Sequence, residues 1–191
     1  MPENAKNQLL QLLKNLGCVE DCADFQLISK SPGPHRSTVT VKFPDGRTVQ
    51  GTGEAPRRTD ADIAATQVAL NKLRDDYKDL VIDWGEIYVQ AQAGDALIKL
   101  GVYLSAEIKS VGDKSKRLQT LESDLHLAKV FDQWKAQGDK DLAVWGTNLG
   151  EKRKATLVEA LLWKRFGKQV ITTDAPVQLQ SLLRTLLQNE G

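Results

Sequence analysis

The chain has 191 residues, 41% hydrophobic and 27% charged, with a formal net charge of +1. This is the size of one large domain or two small ones and the composition of a soluble globular protein. The near-zero charge excludes the strong signature of a highly basic nucleic-acid binder, and no apolar run approaches the roughly 20 residues that a membrane span needs.

The start, "MPENAKNQLLQLL", has neither the apolar core of a signal peptide nor the Arg-rich character of a transit peptide, so a cytoplasmic protein is expected. Leucines at 9, 10, 12, 13 and 16 give residues 5–16 an amphipathic helical period. "LGCVEDCAD" is a turn-rich connector. Its Cys18 and Cys22 are the only cysteines and read as free thiols of a reducing compartment. His35 and His126, the only histidines, do not stand at metal-ligand spacing from them. "FQLIS" (25–29) and "STVTVKF" (37–43) alternate as strands around "KSPGPHR". "PDGR" (44–47) is a hairpin signal, and "TVQGTGE" continues as a third strand. "RRTDADIAATQVALNKL" (57–73) reads as a helix marked by Ile63, Val68, Ala69 and Leu73. The order α-β-β-β-α predicts one sheet with two helices on one face.

From Gly85 onward strand alternation disappears. Residues 86–108, 115–137, 140–146, 151–167 and 175–188 read as helices, the last introduced by Asp174 and Pro176. The expected fold class is therefore α+β. An α-β-β-β-α domain spans 1–75, a linker spans 76–84, and an all-α domain spans 85–191.

Two carboxylates in the helical half stand on apolar faces. Asp95, in "AQAGDALIKLGVYLS", shares a helical face with Tyr88, Ala91, Gln92, Ile98, Lys99 and Val102. Glu159, in "KRKATLVEALLWKRF", shares one with Ala155, Thr156, Leu162, Trp163 and Phe166. A buried carboxylate is costly unless it is paired, hydrogen-bonded or metal-bound. The economical arrangement packs the two helices together so that the acids meet, as a divalent-metal site requires.

The first half resembles the double-stranded RNA-binding domain. The resemblance rests on Gly33, Pro34 and His35 between the first two strands, on "GTG" (51–53), and on "RRTDADIAATQVAL" (57–70). It implies recognition of A-form shape: the first helix and first hairpin loop meet successive minor grooves, and the cationic start of the last helix grips the phosphates between them. The RNA-binding residues so implied are Gln11, Pro34, His35, Arg36, Arg57 and Arg58. The chain also departs from the family. The usual Lys-Lys-x-Ala-Lys run falls on Arg58, Thr59, Asp60, Ala61 and Asp62, with Arg57 one residue earlier. His35 follows Pro34 directly, one residue short of the usual Gly-Pro-x-His, and Gln11 is followed by Leu12 where a polar pair is common. Residues 1–75 carry ten Lys+Arg against nine Asp+Glu, a low balance for a domain that binds through phosphates.

The second half resembles the ribonuclease III domain. "AGDALIKLGVYLS" is similar to that family's Leu-Gly-Asp-Ala helix and "KATLVEALLW" to its Ala-Asp-x-x-Glu-Ala-Leu helix. "KRLQTLESDLHLAKVFDQW" (116–134) fits the helices between them. The family cuts double-stranded RNA with divalent metal, usually magnesium, held by four acids. Asp95 and Glu159 match two of these acids. The other two positions fall on Ala91 and Thr156, a further family glutamate falls on Tyr88, and Glu86 lies off the needed face.

Two acids do not easily hold magnesium. Asp95 and Glu159 are therefore expected to be remnants of a dismantled metal site, held by lysine, arginine, hydroxyl or water, with Thr156 placed to hydrogen-bond either. No cofactor is expected, and Mg2+ only if a residual site is active. The resemblance also implies a homodimer, or a heterodimer with a ribonuclease III relative, with the domain order reversed.

Three functions follow. The favoured one is non-catalytic binding of structured RNA or of a ribonucleoprotein such as the ribosome. The second is a metal-dependent endoribonuclease with Asp95 and Glu159 as catalytic and metal-binding residues. The third is a protein-interaction regulator of a true ribonuclease III. "DKSKR" (113–117), "EKRK" (151–154) and "WKRFGK" (163–168) read as solvated helix faces, and Trp134, Trp145 and Trp163 as core or interface residues.

Overall fold

Asn4 opens the first helix: its side-chain oxygen accepts the Lys6 N–H at 3.1 Å, satisfying one of the amide donors that a helix start leaves unpaired. The computed structural model describes residues 4–18, 22–29 and 33–170; the helix expected over 175–188 lies outside them. Within these residues the fold is mixed α and β. The chain divides into two units: residues up to Asp83 with Asp132–Gly150, and Trp84–Phe131 with the residues from Glu151 onward.

In the first unit, α1 (Ala5–Asn15) buries Leu9 and Leu13, followed by buried Leu16. Strands β1 (Ala23–Ser29), β2 (His35–Lys42) and β3 (Thr48–Ala55) form an antiparallel sheet in the order β1-β2-β3. The β2–β3 turn depends on Gly46, whose φ of 87° is a left-handed value that costs glycine little. Helix α2 (Arg58–Asp76) packs on β2 and β3 and against α1.

The buried side of α2 is made mostly of small residues. It is Ala61, Ala65, Thr66, Ala69, Leu70 and Leu73, whereas Val68 is exposed and Ile63 half-buried. The cause lies on β3. A Cβ at Gly51 or Gly53 would run into the α2 backbone at Ala65 or Ala61, so the helix lies close and only methyl groups fit beneath it.

Arg47 fastens the hairpin. Its guanidinium donates to Asp45 at 2.7 Å and to Asp79 at 2.9 Å, and stands over the Tyr77 ring at 5.4 Å. Asp79 belongs to a short 3-10 turn, Lys78–Leu80, within the stretch expected to be a linker.

Residues 132–150 group with this first unit, although the sequence pattern attaches them to the helical half. The Gly146 N–H donates to the Leu16 carbonyl at 2.7 Å and the Asn148 N–H to Gly17 at 3.3 Å. The Lys135 ammonium donates to the carbonyls of Leu142, at 3.1 Å, and Trp145. Burial holds its pKa below the usual lysine value. These ties use backbone groups, which side-chain periodicity does not report. Residues 140–146, expected to be a helix, hold only a 3-10 turn at Lys140–Leu142.

The second unit contains α3 (Trp84–Leu104), α4 (Val111–Leu121), the first part of α5 (Asp124–Ala136), and α6 (Glu151–Val170). The helix expected over 115–137 is two helices. Ser123 breaks it, its hydroxyl accepting the His126 N–H at 3.3 Å as a cap. Helix α3 packs most extensively on α6. Ala91, Leu118, Leu127, Phe131, Leu157 and Val158 are among the buried residues. Among the described residues no helix is long and apolar enough to cross a membrane.

Candidate functional site

The acids of the second unit lie where α3 meets α6. A Cβ at Gly94 would overlap the Glu159 backbone, so glycine sets the close approach of the two helices. Asp95 is the next residue, half-buried, and its Oδ2 lies 2.5 Å from the Lys99 ammonium one turn along. Lys99 also stands 3.7 Å from Glu122 Oε1, a buried oxygen with no hydrogen bond. Its hydrogen bond with Asp95 holds the ammonium above the usual lysine range, with Glu122 adding to the effect.

Glu159 is the strained member. Burial pushes its carboxyl up to about 7, the negative charges of Asp95, Asp124 and Glu122 add to the rise, and Lys99 opposes it. Three carboxylates thus act by charge on Glu159, and the Lys99 ammonium stands against two of them, Asp95 and Glu122. Asp95 has its partner in Lys99, a residue already on its predicted face. Glu122 and Asp124 are not among the sequence-predicted site residues. Their only signal is a pair of acids flanking Ser123, at a helix break that periodicity smooths over.

The donor set differs from the four acids that the resemblance implies. Ala91 and Thr156 are buried and bring no carboxylate. The Thr156 hydroxyl donates to the Lys152 carbonyl at 2.9 Å instead of to either acid as expected. Glu86 accepts from Gln90 at 3.0 Å. Among the described residues no three His, Cys, Asp or Glu side chains group so as to hold a metal ion, and magnesium demands near-octahedral oxygen ligation.

In the first unit, five of the six sequence-predicted RNA contacts gather at one end of the sheet. His35 is the first residue of β2, not a loop residue, and pairs with Ala55 at the end of β3; its Nδ1 is buried without a hydrogen bond. Pro34 precedes it, exposed. Arg36 Nε reaches Glu54 across the strand pair at 3.4 Å. Arg57, extended at φ −114°, and Arg58, the first residue of α2, are both exposed.

Gln11 lies elsewhere. Its amide donates to Asn15 at 3.1 Å, and it lines a cavity of about 240 Å³ with Arg74 and Leu80. Arg74 is near the far end of α2, about 24 Å from Arg58 at the helical rise of 1.5 Å per residue. Asp62, an acid at a position where the resemblance expects a cation, serves the fold. The buried Ser37 hydroxyl donates to its carboxylate, joining β2 to α2.

No family model, curated protein or solved structure matches the chain.

Proposed function

We propose that the chain is a non-catalytic, cytoplasmic binder of double-stranded or otherwise structured RNA, free or within a ribonucleoprotein such as the ribosome. In this proposal the first unit acts as a double-stranded RNA-binding-like domain. The second is a ribonuclease III-like platform for docking or for dimerisation, with itself or with an active relative. The observation that carries the proposal is the Lys99–Asp95 pair at 2.5 Å. The acid that the resemblance would give to a metal already holds an ammonium, and Ala91 and Thr156 add no charge. RNA binding draws support from Arg57 and Arg58, exposed at the start of α2, where the helix dipole favours phosphate.

The gathering of Asp95, Glu122 and Asp124 around Glu159 favours one other function, a weak metal-dependent endoribonuclease. A labelled duplex RNA of about 30 base pairs, against the roughly 16 that such a domain spans, separates the two. It is incubated with Mg2+ or Mn2+, beside a gel shift without metal. A shifted, uncut duplex is expected. Arg57→Ala with Arg58→Ala should weaken binding about fivefold or more and lower the slope of log affinity against log salt by up to about 2. Cleavage that disappears in Asp95→Ala would establish the endoribonuclease. No shift at low salt would leave regulation through protein contact.

A further inference from the structure

In sequence the basic segment "WKRFGK" reads as a solvated face and Trp163 as a core or interface residue. In the fold Trp163 is only half-buried, and it sits on a purpose-made seat. Gly167, one turn along α6, is buried, and a Cβ there would strike the six-membered ring of the indole. Glycine therefore lets the ring lie flat against the helix, which fixes the plane of a side chain that would otherwise rotate.

The same ring lines a cavity of about 610 Å³. Among the described residues its other walls are Lys164, Gly167 and Lys168 of α6 and Gln90 of α3. The volume falls in the range of small-ligand sites. The chemistry of the walls narrows the ligand. A fixed aromatic plane attracts another flat ring. The Gln90 carboxamide donates one N–H to Glu86 and keeps its oxygen and second N–H for the edge of a heterocycle. Two ammonium groups, one turn apart on the helix, favour an anion and repel a cationic ligand. Among the described residues no carboxylate lines the cavity.

We propose that this cavity binds a nucleotide, with its base stacked on Trp163 and its phosphate held by Lys164 and Lys168. A base with a phosphate attached comes from two sources, a free mononucleotide or an unpaired nucleotide of RNA. The site belongs to the second unit, whereas the duplex proposal rests on the first.

The test uses the full chain and a 5′-fluorescein hexa-adenylate, followed by fluorescence anisotropy at moderate salt, with adenosine monophosphate as competitor. Binding is expected. Trp163→Leu should weaken it about tenfold, as the loss of one base–aromatic stack does, whereas Trp163→Phe should retain most of it. Lys164→Gln with Lys168→Gln should weaken binding and flatten its salt dependence. The duplex gel shift is read on Arg57→Ala with Arg58→Ala and the hexamer anisotropy on Trp163→Leu, so the duplex proposal and this one fail separately. Displacement by millimolar adenosine monophosphate identifies a free-nucleotide site; hexamer binding that the mononucleotide does not displace identifies unpaired RNA. Either supports the site. No binding by the intact chain, equal affinity in Trp163→Leu, or displacement by an acidic peptide as effective as that by the nucleotide would overturn it. Should Trp163→Leu not fold, the Phe and the paired Gln variants decide.

Discussion

Glu159 is the residue whose chemistry has the clearest consequence. Its carboxyl rises from 4.5 to about 7, chiefly through burial and then through the charges of Asp95, Asp124 and Glu122. The folded chain thus holds a proton that the unfolded chain releases. Between about pH 4.5 and 7 the folded state binds more protons, so the stability derived from this group is complete below 4.5 and is lost as pH rises through 7. A rise of this size corresponds to about 3 kcal/mol at most, and partial exposure of the site reduces it to about 1–2 kcal/mol. Glu159→Gln carries no charge to release. It should be more stable than the native chain at pH 8 by about 1 kcal/mol and should lack most of the decline between pH 5 and 8. Urea unfolding at those two pH values measures both. An unchanged slope would mean that solvent already relieves the cluster. At this scale the sequence was half legible: Asp95, Lys99 and Glu159 could be seen on their helical faces, but Glu122 and Asp124 are distant in sequence and come to Glu159 only through the fold.

At the scale of elements, small residues decide how close helices and strands come. Two glycines on α3 should respond in opposite directions. Gly94 meets the Glu159 backbone, whereas nothing lies within 4 Å of a Cβ at Gly101. Gly101→Ala should stabilise by about 0.5–1 kcal/mol through helix propensity alone. Gly94→Ala gains the same propensity but forces α3 and α6 apart, and should destabilise by about 1–3 kcal/mol net. Thermal melts of the two variants report the difference in sign; stabilisation by both would mean that α3 and α6 do not pack as closely as Gly94 indicates. The sequence revealed the elements themselves where one signal dominated: leucine spacing for α1, alternation and "PDGR" for the sheet, and the long apolar period of α3. It did not show how α2 sits on the sheet: Gly51 and Gly53 bring the helix backbone so close that Ala61, Ala65 and Ala69 form much of its buried side. The break at Ser123 is also hidden in the sequence, because a one-residue cap disturbs a helical period very little.

At the scale of the whole molecule, the units are not two consecutive lengths of chain, and a cut suggested by the sequence pattern would remove part of the first one. The segment 132–150 returns to it through the Gly146 and Asn148 N–H groups on Leu16 and Gly17, and Leu149 covers Gly17. Beside this contact lies Cys18, a free thiol that burial, with the neighbouring Cys22, pushes up to about 12. A thiol so placed stays protonated at neutral pH and reacts slowly, since the thiolate is the nucleophile. Cys22 is less buried and gives an internal comparison. A fragment of residues 1–83 retains α1, the sheet and α2 but loses the segment that covers Leu16 and Gly17. Its Cys18 should react with a thiol reagent many times faster than in the full chain, while the rate at Cys22 changes little. The fragment should also unfold at lower urea, because the backbone groups of Leu16 and Gly17 lose their partners and apolar surface returns to water. Equal Cys18 protection and an equal urea midpoint would make 132–150 an attachment with no part in the core. The outcome governs how duplex binding is to be measured. If the fragment is weakened as expected, the proposed duplex binding is to be tested on the full chain, because residues 1–83 alone lack part of their fold.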